Sequence, residues 1–164
     1  MNICKPTQNS LRQGLGFGLT SGVITTLGLI VGLSFGTDSK LVVIGGVLTV
    51  ALADAFSDAL GIHISVESEK NVKEEDVWGA TIAAFTAKTI FALIFLVPLI
   101  FLSLKIATIS CVILGLIILG IYSFFLAKNE KISPSKAIIE HVSVAVVVIA
   151  LTAAIGHLVR SKFN

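Results

Sequence analysis

The chain alternates long apolar segments with short polar connections. Each apolar segment is at least about 18 residues long, enough to cross a hydrocarbon core of roughly 30 Å. A lone segment in lipid must satisfy its own backbone hydrogen bonds, so each is expected to be helical. The pattern predicts an all-α polytopic membrane protein with five transmembrane helices in one transmembrane domain over residues 1–164. The predicted spans are Gly14–Phe35, Leu41–Ile64, Val77–Leu102, Ile106–Ala127 and Ala137–Val159.

The polar connections predict the turns and the orientation. Gly36 to Lys40 is short enough for a tight turn, and Pro98 is expected to kink the third span or end its regular part. Lys and Arg are more frequent in the N-terminal tail and the second and fourth connections than in the others, which favours an inside N-terminus and an outside C-terminus. The basic residues on the predicted inner side are Lys5, Arg12, Lys70, Lys73, Lys128, Lys131 and Lys136. Those on the predicted outer side are Lys40, Lys105, Arg160 and Lys162.

Composition supports a membrane protein and excludes other classes. Hydrophobic residues make up 55% of the chain and charged residues 13%, about half the charged share of a typical soluble domain. The net charge of +2 gives no indication of nucleic-acid binding. Cys4 and Cys111 are interpreted as plain thiols, since one lies in the polar tail and the other in an apolar segment. The N-terminus lacks the pattern of a cleaved leader, so the first apolar segment is expected to remain a span.

Glycines recur along the first span. Gly18 and Gly22, and then Gly28 and Gly32, have the four-residue spacing that lets two helices approach closely in lipid. Two interpretations are open: close packing within one chain, or a dimer contact. We predict a homodimer whose two-fold axis passes between the first helices.

Charged residues inside spans are costly and normally face a protein interior or an aqueous path. Asp54 and Asp58 lie one helical turn apart on one face of the second span. Lys88 lies at a similar depth in the third span, roughly 15 Å from its inner end at 1.5 Å per residue. We predict a cation or proton site in which Lys88 partly neutralises the acids when no cation is bound. The alternative is a structural ion pair that holds two helices together.

Weaker candidates lie near the ends of spans. His63 and Glu67 are four residues apart and could form a ligand pair, although a solvated histidine is the commoner case. The second connection is acidic and could concentrate divalent cations at the cytoplasmic mouth, or could simply be a solvated loop. Glu140, His141 and His157 are interpreted as structural or interfacial. The acidic residues of the second connection are Glu67, Glu69, Glu74, Glu75 and Asp76.

The first two spans contain GLTSGVITTLGLIVGLSFG followed by GGVLTVALADAFSDALGIHISVESE. These segments resemble the vacuolar iron transporter family, and fainter similarity continues through AAFTAKTIFALIFLVPL and the C-terminal span. The resemblance implies five spans, an inside N-terminus and metal transport. Ser21 stands where the family has an aspartate, Val50 where it has a glutamate, and Asp58 where it has a methionine ligand. The family's cytoplasmic metal-binding insert is replaced by the short acidic loop.

Together these features predict a homodimeric transporter of divalent metal ions, of the iron/manganese class, that exchanges metal for protons. Asp54, Asp58, Lys88 and Ser21 are the expected pathway residues, and the metal is substrate, with no separate cofactor. Oxygen ligands prefer harder ions such as Mn²⁺, Mg²⁺ or Ca²⁺, with Fe²⁺ still compatible. The expected location is a prokaryotic plasma membrane.

Two other functions are open. The chain could be a structural or regulatory membrane subunit with a buried ion pair at its core. It could also be a lipid-modifying enzyme, because two aspartates spaced Asp-x-x-x-Asp can hold Mg²⁺ against a diphosphate. The enzyme is the least favoured, since the sequence has no phosphatidyltransferase element, no basic cluster near Asp54 and no His-Glu-x-x-His motif.

Overall fold

The computed structural model describes residues 6–163, and all regular secondary structure in that range is α-helical. Five helical segments are long and apolar enough to cross a membrane, and the third of them consists of α3 and α4. Cys4 and Lys5 lie outside the described residues. The helices are α1 (Gln8–Thr37), α2 (Lys40–Glu67), α3 (Glu74–Ile94), α4 (Leu96–Phe101), α5 (Leu104–Glu130) and α6 (Pro134–Phe163).

The five predicted spans are confirmed, but the helices extend beyond the apolar segments at most ends. A helix can continue through polar residues until one of them ends it, whereas hydropathy identifies only the apolar segment of the helix. Pro134 opens α6, three residues before the predicted start, because its missing N–H and fixed φ are tolerated in a first helical turn. Lys131 ends α5 in the left-handed conformation, at φ 55°.

The third span is interrupted where the sequence predicted. Helix α3 ends at Ile94 and α4 begins at Leu96, so the break lies one turn before Pro98. Proline has no N–H to bond the carbonyl four residues earlier, and its ring crowds that carbonyl. The predicted turn between the first two spans is also confirmed, since α1 and α2 are separated only by Asp38 and Ser39.

The chain divides into two compact units, described separately below. The first combines the described part of Met1–Gly22 with Leu48–Ile94, and the second combines Val23–Val47 with the described part of Phe95–Asn164.

In the first unit, the beginning of α1 lies against α3 at glycine positions. A Cβ added at Gly18 would overlap the backbone of Ala84, and one added at Gly22 would lie 3.0 Å from the carbonyl oxygen of Lys88. The start of α1 is also fixed to the start of α3, where the Asp76 carboxylate accepts hydrogen bonds from the Thr7 N–H and, at 3.1 Å, from the Ser10 hydroxyl. The glycines thus allow two helices to approach to backbone contact.

In the second unit, later glycines of α1 meet α6. Cβ atoms added at Gly28 and Gly32 would contact Val148 and Thr152, and Gly36 faces Gly156 in the same way. These glycines therefore pack within the chain, which is one of the two interpretations above. The predicted dimer axis between the first helices has no support at these positions, because α3 and α6 already occupy them.

We predict that Gly18→Ala lowers the stability of the protein by about 1–3 kcal/mol, the usual cost of overpacking a close contact. Gly61→Ala is the matched control, since Gly61 lies in α2 and a methyl group added there would have no atom within 4 Å. Thermal unfolding in detergent should show a lower midpoint for Gly18→Ala and no loss for Gly61→Ala. Equal effects of the two substitutions would contradict the packing described here.

Candidate cation site

Three helices of the first unit bring four polar side chains together. Helix α1 supplies Ser21, α2 supplies Asp54 and Asp58, and α3 supplies Lys88. The aspartates share a face of α2 because residues four apart in a helix are neighbours. We refer to these four residues as the Lys88 cluster.

The Lys88 ammonium is the centre of the cluster. Its Nζ lies 2.5 Å from Asp54 Oδ2, 2.5 Å from Asp58 Oδ2 and 2.6 Å from Ser21 Oγ. An ammonium group has three N–H donors, so these three oxygens can accept all of them. Ser21 Oγ in turn donates its proton to Asp58 Oδ2 at 2.6 Å. The hydroxyl therefore connects the lysine and the aspartate directly.

Burial differs among the charged groups. The Lys88 side chain is 0% exposed, Asp58 is 18% exposed and Asp54 is 34% exposed. A fully buried ammonium is stable only when it is paired and hydrogen-bonded, which the cluster provides. Asp54 is therefore the more exposed of the two carboxylates.

The charges of the cluster do not cancel. By formal charge, two carboxylates and one ammonium sum to one negative charge. Because both Oδ2 atoms contact the same nitrogen, they lie within about 5 Å of each other and repel. The arrangement is a set of oxygen ligands that converge on a single cation, and the cation in it is the side chain of Lys88.

From their depth in the spans and their helical face, we predicted that Asp54, Asp58 and Lys88 lie close together. The structure places both aspartates in contact with Lys88. Ser21 entered the prediction only because it aligns with a family aspartate, and its two hydrogen bonds could not be read from the sequence. Thr89 was missed, although its hydroxyl donates to the Ala51 carbonyl at 3.4 Å and links α3 to α2 beside the cluster. A threonine next to an intramembrane lysine was the available signal.

His63 and Glu67, the possible ligand pair, make no ion pair with each other within residues 6–163. Its Nδ1 lies 3.0 Å from Thr81 Oγ1, and its ring meets the Trp78 ring edge-on at 4.8 Å between centroids. The Thr81 hydroxyl donates to the Val77 carbonyl, so the histidine is the donor in the contact between them. His63 thus serves to join α2 and α3, while Glu67 is exposed.

The acidic connection is not arranged as a metal site. Within residues 6–163, no group of three or more His, Cys, Asp and Glu side chains could hold a metal ion. Glu69 accepts a hydrogen bond from Gln13 at 3.2 Å, and Asp76 is occupied by Thr7 and Ser10. Glu67, Glu69, Glu74 and Glu75 are exposed.

The remaining candidates belong to the second unit. Glu140 and His157 are exposed. His141 Nδ1 lies 2.8 Å from Ser123 Oγ, whose proton goes to the Leu119 carbonyl. Cys111 is a buried free thiol. None of these residues contributes to the Lys88 cluster.

The five apolar helices and the buried charges between them define a polytopic integral membrane protein. A sequence profile of the VIT family, the vacuolar iron transporters, matches residues 15–78. This match confirms the predicted resemblance over the region that contains Ser21, Asp54 and Asp58; Lys88 lies beyond it. The members of this family are transporters. A search of curated proteins found no significant match.

Proposed function

We propose that the protein carries a divalent metal ion of the iron/manganese class across the membrane in exchange for protons. The observation that carries the proposal is the convergence of three oxygens, from Ser21, Asp54 and Asp58, on one buried cation position. The family match supports transport as the activity.

In this proposal the metal and the Lys88 ammonium compete for the same oxygens. A cation reaches Asp54 first, binds both carboxylates and displaces the ammonium, which then no longer neutralises them. When the metal leaves, Lys88 returns and a proton on one carboxylate removes the residual negative charge. Lys88 thereby keeps the empty site hydrogen-bonded, since unpaired buried carboxylates would be costly.

The ligand set favours hard or borderline divalent ions. Carboxylate and hydroxyl oxygens suit Mn²⁺, Mg²⁺ and Ca²⁺, and Fe²⁺ is compatible. The cluster contains no sulfur ligand, because Asp58 stands where the family has a methionine. Water molecules would complete the coordination of a divalent ion, which needs more than three ligands.

The proposal also includes an orientation in the membrane, a location and an oligomeric state. The distribution of Lys and Arg favours an inside N-terminus, and a prokaryotic plasma membrane is the proposed location. The exposed glutamates between α2 and α3 would then attract cations to the cytoplasmic mouth. The homodimer rests on the family resemblance, and cross-linking in the bilayer tests it: a monomer at all protein-to-lipid ratios would contradict it.

The direct test is metal uptake into proteoliposomes across a panel of divalent ions, with and without a pH gradient. We expect uptake of Mn²⁺ or Fe²⁺ that a pH gradient accelerates in one direction and slows in the other. Uptake that does not depend on the pH gradient would contradict proton exchange. Absence of uptake for every ion tested would contradict transport itself.

One feature favours a second function, a structural or regulatory membrane subunit. Lys88 is entirely buried and all three of its donors are used, as in an ion cluster that only holds helices together. Under this alternative, variants of the cluster lose stability and no ion is taken up. An enzyme acting on a diphosphate is disfavoured, since the basic side chain beside the two aspartates is buried and bound to them.

A further inference from the structure

The second unit contains a cavity of about 310 Å³ where three helices end or begin. Asp38 follows the last residue of α1, Leu104 and Lys105 open α5, and Arg160 lies in the last turn of α6. In a spanning protein the ends of spans lie at the level of the lipid headgroups. The cavity is therefore placed where the polar and apolar parts of a phospholipid meet.

The charged groups at this cavity are mainly basic. Arg160 lies 3.6 Å from Asp38, with side-chain exposures of 49% and 68%, so the pair is loose and leaves other guanidinium donors free to bind. Lys105 is exposed and has no ion pair within residues 6–163. Two cations and one carboxylate give the lining a net positive charge, which is complementary to an anion.

The uncharged polar side chains at the cavity already form hydrogen bonds within the chain. The Thr108 hydroxyl donates to the Leu104 carbonyl at 2.9 Å and lies 2.9 Å from Ser34 Oγ. Since Thr108 has a single proton, Ser34 is the donor between them. Recognition of a headgroup at this cavity thus depends on Lys105 and Arg160.

The rest of the lining is apolar and reaches the surface of the chain. Phe35 is 48% exposed and Ile109 is 54% exposed, and Leu104 also lines the cavity. A free inorganic anion would gain nothing from these side chains. A phospholipid would place its phosphate at Lys105 and Arg160 and an acyl chain along the apolar wall.

From this geometry we propose that the cavity is a binding site for a phospholipid with an anionic headgroup. The site is separate in sequence from the Lys88 cluster, and the proposal does not depend on which ion is transported or on whether any is.

Native mass spectrometry of the purified full chain in detergent tests it, with phosphatidylglycerol and phosphatidylcholine of identical acyl chains as probes. We expect phosphatidylglycerol to bind more tightly, and Lys105→Gln or Arg160→Gln to weaken it about fivefold each, the effect of one basic residue near an anionic lipid. Lys162→Gln is the matched control, because Lys162 lies in the same last turn of α6 and does not line the cavity. It should leave the affinity within about twofold of wild type, since its charge does not contact the headgroup.

Two further measurements distinguish a phospholipid from free inorganic phosphate as the bound anion. Ile109→Trp fills the apolar wall without changing charge, and it should weaken phosphatidylglycerol binding if an acyl chain lies there. Inorganic phosphate should compete poorly. Equal affinity for the two lipids, an equal loss in Lys162→Gln, full competition by phosphate, or no effect of Ile109→Trp would each overturn the proposal.

Discussion

Replacing Asp58 with asparagine should reduce metal uptake into proteoliposomes to the background of protein-free vesicles. Asp58 Oδ2 accepts hydrogen bonds from both Lys88 and Ser21, so Asp58 makes more contacts in the cluster than Asp54 does. Asparagine keeps the shape of the side chain and removes its charge. A metal ion would then meet one carboxylate and a nearby ammonium, and their combined charge is no longer attractive. The measurement is initial uptake rate under a fixed pH gradient, with thermal stability recorded for the same sample.

Glu140→Gln is the matched control for this substitution. It removes a carboxylate from another span, and Glu140 is exposed and outside the cluster. Uptake should stay near the wild-type rate. If Asp58→Asn transports at the wild-type rate, Asp58 is not a ligand, and if Glu140→Gln loses as much as Asp58→Asn, the pathway lies along α6.

Replacing Lys88 with methionine should raise metal affinity by about tenfold or more and change the pH dependence of uptake. Methionine is similar in length and has no charge to compete with the metal. A unit charge 4 Å away is worth about 4 kcal/mol at an effective dielectric constant of 20, before desolvation reduces it. Without the ammonium, the two carboxylates would lie close together with no cation between them, and they would repel each other. Metal binding and thermal unfolding in detergent should be measured on the same preparation.

The structural alternative makes the opposite prediction for Lys88→Met. Breaking a buried ion pair can cost roughly 3–5 kcal/mol, so the fold would be strongly destabilised. The double variant Asp54→Asn with Lys88→Met would then recover much of that stability, because it removes one of the two unpaired carboxylates. A loss of stability with an unchanged metal-binding curve would contradict the counter-cation role and assign Lys88 to the fold.

The depth and facing of the charged residues were predictable because they follow from helix geometry. Asp54 and Asp58 had to share a face, and Lys88 had to reach a similar level, so their meeting required only that α2 and α3 be neighbours. The break before Pro98 was predictable for a similar reason, since it depends on the backbone of one segment.

The partners of other residues could not be predicted, because they depend on which helix lies opposite. The spacing of Gly18 and Gly28 indicates a close helix contact but does not name the partner, and the structure assigns α3 to one and α6 to the other. The sequence offered Glu67, on the same helix, as a possible ligand partner of His63, but it could not show that His63 lies against Thr81 of α3. A one-dimensional pattern identifies a face and leaves the neighbour undetermined.

The uncancelled charge of the Lys88 cluster has an electrical consequence for the proposed exchange. With Lys88 counted, the site carries one positive charge when a divalent ion is bound and no net charge when a proton occupies the empty site, so only the loaded state is charged. Moving one charge through the membrane field involves about 2.3 kcal/mol per 100 mV. An inside-negative potential then drives the loaded site inward, whereas the protonated empty site returns without electrical work. The membrane potential therefore assists import of the metal and opposes its export, through the loaded half of the cycle alone.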